Sequence, residues 1–187
     1  MARPRTVTDE AILEAAMDMM YRAGPDALTF ASVGKAVGLS AATLVQRYGT
    51  KDGFVQAAML RGWDALDAQT AELDQTMPLT PEGAVAMLVA MIPAGMSEAE
   101  NAMGLAILRE DMRDPVLRAR GVLWRKALAR ALGRRLSEDA RQQEQLGLML
   151  ASQWQGAQVW WGFAQKGALG EVIGQELRDW CALVLKR

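Results

Sequence analysis

Thr43, Gln46 and Arg47 stand three and one residues apart in "SAATLVQRYGTK", and Lys51 follows four residues later. Stepped at 100° per residue, Thr43, Gln46 and Arg47 gather on one side of a helix and Leu44 and Tyr48 on the other. Gln pairs bidentately with adenine and Arg with guanine in the major groove, and a Lys at a helix N-terminus capped by Thr50 favours phosphate. Contacts that position and contacts that read are thus both available. A merely solvated face is the competing reading, because most polar helix faces carry no function.

Other chemistries are poorly provided for. The 187 residues contain no histidine and a single cysteine, Cys181. Ser-His and Cys-His nucleophile pairs, histidine-liganded metals and an imidazole switch are excluded, and no cysteine-rich metal site or intrachain disulfide can form. No paired catalytic groups stand out, so the expectation is a protein that is not an enzyme, with no catalytic residues, metal or cofactor. A net charge of -1 rules out a uniformly basic surface and still permits a local cationic face.

The longest uncharged apolar run, 84–96, is shorter than the ~20 residues that span a bilayer and contains Pro93. Arg3 and Arg5 precede an apolar segment broken by Asp9, Glu10, Glu14 and Asp18, which does not suit a signal-peptide core. With the lone cysteine, this gives the expectation of a cytoplasmic protein with no membrane partner.

The periodicity that must hold these groups is helical almost throughout, so the expected fold class is all-α. Thr8 caps a first helix with Asp9 and Glu10 in its opening turn, and Gly24-Pro25 ends it. Thr29 caps a second helix, Gly38 makes a tight turn, and Ser40 caps a third, which Gly49 closes. A fourth helix runs from about 51 to 74. The segment "QTMPLTPEG", 75–83, marks the expected boundary, and helices follow at about 81–94, 97–113, 115–134, 138–166 and 171–186, with Ser137 as a cap. The expected domains are 1–50, with a helix-turn-helix at about 29–48; a connecting helix and linker, 51–80; and a C-terminal domain, 81–187.

Residues 8–60 carry these elements in order, with "AILEAAMDMM", Gly24, "LTFASVGKAVGLS" and "TLVQRYGTKDGF". They resemble the N-terminal domain of the TetR family of transcriptional regulators. The resemblance implies a homodimer that binds double-stranded operator DNA through its third helix and takes a small effector in a C-terminal helical domain. The candidate DNA contacts are Thr29, Ala42, Thr43, Val45, Gln46, Arg47 and Lys51, with Leu44 and Tyr48 in the core. Val45 stands where the family usually has an aromatic, and its branched side chain suits a thymine methyl. Arg47 adds a cation that can meet either a phosphate or a guanine edge.

The second half is rich in Met and Trp. At helical spacing such residues build a core, and they also suit an apolar pocket. Met103, Trp124 and Trp154 are the candidate wall of an effector site for an apolar small molecule. Arg109, Glu110, Asp111 and Arg113 read as a solvated, salt-linked face. Apolar residues recur along the last two helices, and Trp160, Trp161, Leu177, Trp180 and Val184 are the candidate seam with a second copy. The expected function is a repressor released by its effector; the alternative is an all-α interaction module that binds a partner helix on its apolar faces.

Overall fold

The computed structural model describes residues 7–185, and all its regular elements are helical. They are α1 (Asp9–Ala23), α2 (Phe30–Val37), α3 (Ala41–Tyr48), α4 (Lys51–Thr76), α5 (Pro81–Ala90), α6 (Glu98–Arg113), α7 (Pro115–Leu136), α8 (Ala140–Ala164) and α9 (Leu169–Val184), with a 3-10 turn at Pro25–Ala27. Arg3, Arg5 and residue 186 lie outside the described residues. No helix among those described is long and apolar enough to cross a membrane.

Local chemistry sets most of the boundaries. The hydroxyls of Thr8, Ser40, Thr50 and Thr80 accept backbone N–H groups from Ala11, Thr43, Gly53 and Gly83 at 3.1–3.2 Å, each satisfying a first-turn donor that a helix cannot satisfy itself. Thr29 and Ser32 form a reciprocal capping box on α2. At the α7–α8 connection the expected cap is displaced. Asp139, not Ser137, caps α8 by accepting the Arg141 N–H, and Ser137 Oγ accepts from Asp139 N.

The chain divides into two compact units, and not at the proline-rich segment. One unit comprises the chain through Ala65 together with Ala102–Arg120; the other comprises Leu66–Asn101 and Gly121 onward. The reason is packing. Ile107 of α6 and Leu117 of α7 belong to the same apolar core as Ile12, Met20, Leu28, Val33, Leu44 and Phe54. Three polar bonds fix the same segment to α4: Gln56 Nε2 to Asp114 Oδ2 at 2.7 Å, Trp63 Nε1 to Asp111 Oδ1 at 2.9 Å, and Arg120 to Asp64 at 3.0 Å.

Asp111, expected on a solvated face, is therefore half-buried against α4, while Glu110 alone takes Arg109 and Arg113. Burial pushes the Asp111 carboxyl up to about 6, with the Asp114 charge adding to the rise and the Trp63 N–H opposing it. A raised carboxyl favours the protonated fold, so its contribution is complete below the ordinary value near 4 and is lost as pH climbs through about 6. Asp111→Asn is expected to flatten that part of the stability profile. At pH 7.5 it should stabilise the first unit by about 1 kcal/mol after solvent screening, read from urea midpoints at pH 4.5 and 7.5.

In the second unit α9 packs on α5 and α8. Arg135 of α7 is buried there, with Asp74 of α4 as its counter-ion.

Candidate nucleic-acid interface and effector site

The third helix is held from within by Leu44, which has no exposed surface, and by Tyr48. Phe54 of α4 stacks on Tyr48, with centroids 4.6 Å apart, and on Phe30 of α2 at 5.2 Å and 9° between planes. One fully buried ring thus clamps both helices of the helix-turn-helix. The connection between them depends on two glycines. Gly38 adopts the left-handed conformation at φ 73° and ψ 29°, and a Cβ on Gly34 would lie 2.6 Å from the carbonyl oxygen of Leu39. Gly34→Ala is expected to force the turn open and destabilise the first unit by about 1–3 kcal/mol, less a small gain in helix propensity, measured by thermal melting. The sequence reading did not single out Gly34, although a glycine inside a helical pattern next to a turn is the signal for such a close approach.

With Leu44 and Tyr48 inside, Ala42, Val45, Gln46 and Arg47 are exposed and Thr43 is half-buried. Thr43 Oγ1 lies 2.8 Å from Ser40 Oγ, so its hydroxyl belongs to the helix cap. Thr29 is likewise engaged in its capping box, and Lys51 is exposed in the first turn of α4 beside the Thr50 cap.

Arg47 differs from its neighbours. Its guanidinium donates to the Val7 carbonyl and to Asp9 Oδ1, both at 3.1 Å, and the Tyr48 hydroxyl donates to the same carboxylate oxygen at 3.1 Å. Burial and the bond to Asp9 push the Tyr48 phenol up to about 12, so it remains a donor. Asp9 is thus shared between the end of α3 and the start of α1. The sequence grouped Arg47 with Thr43 and Gln46; the partner that draws it toward α1 lies 38 residues away and leaves no periodic trace.

The candidate effector residues are divided between the units. Met103 lies in the first, where its sulfur would be 3.0 Å from a Cβ on Gly24. Trp124 and Trp154 lie together in the second, with ring centroids 6.4 Å apart. Trp124 Nε1 donates to Thr70 Oγ1 at 3.0 Å, and that hydroxyl donates to the Leu66 carbonyl at 2.7 Å. Trp154 is 8% exposed, and its Nε1 is buried with no hydrogen-bond partner.

The candidate seam also divides. Leu177 (0% exposed) and Trp161 (6%) are packed inside the second unit, which removes them from any surface a second copy could touch. Trp160 is 70% exposed, Val184 is exposed and Trp180 half-exposed. Period alone cannot separate Trp160 from Trp161, since both fall on an apolar stripe and only the packing of α9 decides which turns inward. Phe163, missed in the sequence, stands exposed 5.5 Å from Trp160.

Comparison with known proteins bears on the first unit. Residues 12–58 match the family model of bacterial regulatory proteins, tetR family. No curated protein matches the sequence. Three solved structures share the fold. A transcriptional regulator from Saccharomonospora viridis in complex with choline is 20% identical, with a TM-score of 0.70 over 91% of this chain and 93% of that one. A TetR transcriptional regulator from Legionella pneumophila is 15% identical, with a TM-score of 0.72 over 98% and 100%. The multidrug binding protein EbrR complexed with proflavin is 15% identical, with a TM-score of 0.61 over 90% and 96%. The helix-turn-helix and the caps of its two helices lie within the matched residues, so segment 12–58 is similar to the DNA-binding domain model of bacterial regulatory proteins, tetR family, and the whole chain shares the fold of these three structures.

Proposed function

We propose that the protein is a cytoplasmic, homodimeric repressor that binds double-stranded operator DNA through α3 and is released by a small-molecule effector held in its second unit. The observation that carries the reading is the state of α3: capped by Ser40, clamped by Phe54, and exposing Ala42, Val45 and Gln46 on the side away from the core. A short helix held this rigidly loses little freedom on docking into a groove.

In this reading Gln46 reads a base edge, Val45 and Ala42 meet thymine methyls, and Thr43, Thr29 and Lys51 approach the backbone. Arg47 meets a phosphate while Asp9 keeps it in place. Two copies joined through Trp160, Phe163, Trp180 and Val184 present two such helices to half-sites a groove repeat apart. The exposed aromatic pair supports the seam. Trp124 and Trp154 are the candidate effector wall within the second unit, and Met103 remains a candidate in the first. Release follows if the effector binds better to the spacing of the two recognition helices that no longer fits DNA. The α4 helix begins in one unit and ends in the other, which makes it a natural lever.

The test is fluorescence anisotropy with duplexes tiled across the intergenic DNA flanking the coding sequence, from 50 to 200 mM salt. A pseudo-palindromic site should bind at least a thousandfold tighter than random duplex. Gln46→Ala should cost about 1–3 kcal/mol on that site alone. Equal binding to every duplex would sink the proposal and favour an interaction module.

A further inference from the structure

Arg47 is the only cation on α3, and it is already engaged within the chain. Its Nη1 donates to the Val7 carbonyl and to Asp9 Oδ1, each at 3.1 Å, so the side chain runs from the last turn of α3 to the start of α1. An exposed ion pair alone holds a side chain weakly. Here the acceptor is fixed independently of Arg47. The Tyr48 hydroxyl donates to the same Asp9 oxygen at 3.1 Å, while the Tyr48 ring is stacked on the buried Phe54. Thr8 caps the helix that Asp9 begins, and a negative charge suits that end. The carboxylate therefore stands in place before DNA arrives. Moving Arg47 away from it would bring an uncompensated carboxylate up to a polyanion, which favours keeping the pair together in the complex.

What α3 has left to offer the groove is uncharged. Ala42, Val45 and Gln46 are exposed, whereas the Thr43 hydroxyl lies 2.8 Å from Ser40 Oγ in the cap. In the major groove a glutamine amide matches adenine and small apolar groups match the thymine methyl, while guanine O6 and N7 call for Arg or Lys. Base edges are met chiefly by the N-terminal residues of such a helix, and Arg47 stands at the other end. We infer that Asp9 sets the base preference of α3: by keeping Arg47 beside the start of α1, it leaves Ala42, Val45 and Gln46 to select A·T pairs and withholds the side chain that would select guanine. The inference rests on the reading of α3 as a DNA-binding helix and adds the class of sequence that helix takes. Asp9 acts through Arg47, as a positioning residue.

The experiment is selection of bound duplexes from a randomised library, followed by sequencing, with the full-length wild type, Gln46→Ala, Asp9→Ala, Arg47→Ala and the Asp9→Ala, Arg47→Ala double variant. The pairs under α3 are those whose enrichment changes in Gln46→Ala, and the wild type should select A·T there. Asp9→Ala is expected to raise the guanine-to-adenine ratio at one of these pairs or an adjacent one by about tenfold, within what a bidentate Arg–guanine contact supplies. Adding Arg47→Ala should cancel that gain. Arg47→Ala alone should weaken all duplexes alike and leave the ratios unchanged. The Asp9 side chain is 69% exposed, so its loss should leave the fold intact. If the alanine variant nevertheless fails to melt cooperatively, Asp9→Asn carries the comparison, with a smaller gain expected because the shape is kept and the charge removed. A purely structural role for Asp9 would lower affinity for every duplex without moving the ratios, and that result overturns the inference. So does a pool unchanged in Gln46→Ala, or guanine selected under α3 by the wild type and lost in Arg47→Ala. These outcomes leave the DNA-binding reading standing, whereas a wild-type pool with no enriched sequence overturns both.

Discussion

Phe54→Ala is expected to abolish operator binding while leaving most of the helix content intact. Phe54 has no exposed surface, and its ring is stacked against Phe30 on one helix and Tyr48 on the other. Removing a buried aromatic costs about 3–5 kcal/mol, from lost transfer energy and from a cavity that rigid neighbours fill only partly. The two stacked pairs contribute beyond their area. A loss of that size is a large fraction of the ~5–15 kcal/mol that holds a typical domain together. The loss falls on the contacts that orient α3, since Tyr48 loses its stacking partner while keeping the hydroxyl bond to Asp9. Urea unfolding should show the first unit's midpoint lowered sharply, and anisotropy should show binding lost at temperatures where circular dichroism still reports folded helix. Phe54→Leu, which refills much of the space, should recover more than half of the stability. An alanine variant that bound with wild-type affinity would show that α3 is oriented by other means.

The second large effect lies in the other unit. Asp74→Ala is expected to destabilise it by about 3–5 kcal/mol, because it strips a buried guanidinium of its counter-ion. The Arg135 side chain has no exposed surface. It donates to Asp74 Oδ1 and the Ala131 carbonyl at 2.7 Å, and to the carbonyls of Asp74 and Met77 at 2.9 Å. Arg134 bonds the other carboxylate oxygen. Without the carboxylate three neutral acceptors remain around a full charge. Burial alone would raise the Asp74 carboxyl, but the bonds from Arg135 and Arg134 outweigh it and hold the group below its ordinary value. A depressed carboxyl contributes stability that is present above the unfolded value near 4 and is lost as pH falls through the folded one. The wild type should therefore lose stability on acidification below about pH 4, and Asp74→Ala should lose less of it there. Replacing both partners, Asp74→Leu with Arg135→Met, should recover most of the loss, since a buried pair exchanged for apolar groups of similar volume is often near neutral. A double variant no better than the single would point to the backbone acceptors as the main anchor.

What the sequence disclosed and what it concealed follow from the range of the interactions. The caps at Thr8, Thr29, Ser40 and Thr50 act within four residues, so the helix-turn-helix and its inward side, Leu44 and Tyr48, were legible. Long-range choices were not. Asp9 competes for Arg47 across 38 residues, Asp74 takes Arg135 across 61, and both leave only isolated charges in the sequence. Helical period marks an apolar stripe but not which edge of it a neighbouring helix covers, which is why Leu177 and Trp161 were grouped with Trp160. The proline-rich segment 75–83 looked like a boundary because turns and boundaries share a composition, whereas the units divide within a helix that carries no break in its sequence pattern.

Because α6 and α7 lend Ile107 and Leu117 to the core around Phe54, the first unit is assembled from two stretches separated by more than thirty residues. A fragment cut at 65 or at the proline-rich segment would expose apolar surface that those two residues cover, and is a poor starting point for a fusion. A graft that exchanged only residues 1–65 with a relative would pair one protein's helix-turn-helix with another's α6–α7 corner. Anyone building a chimaera from this chain has to move residues 102–120 together with the helix-turn-helix.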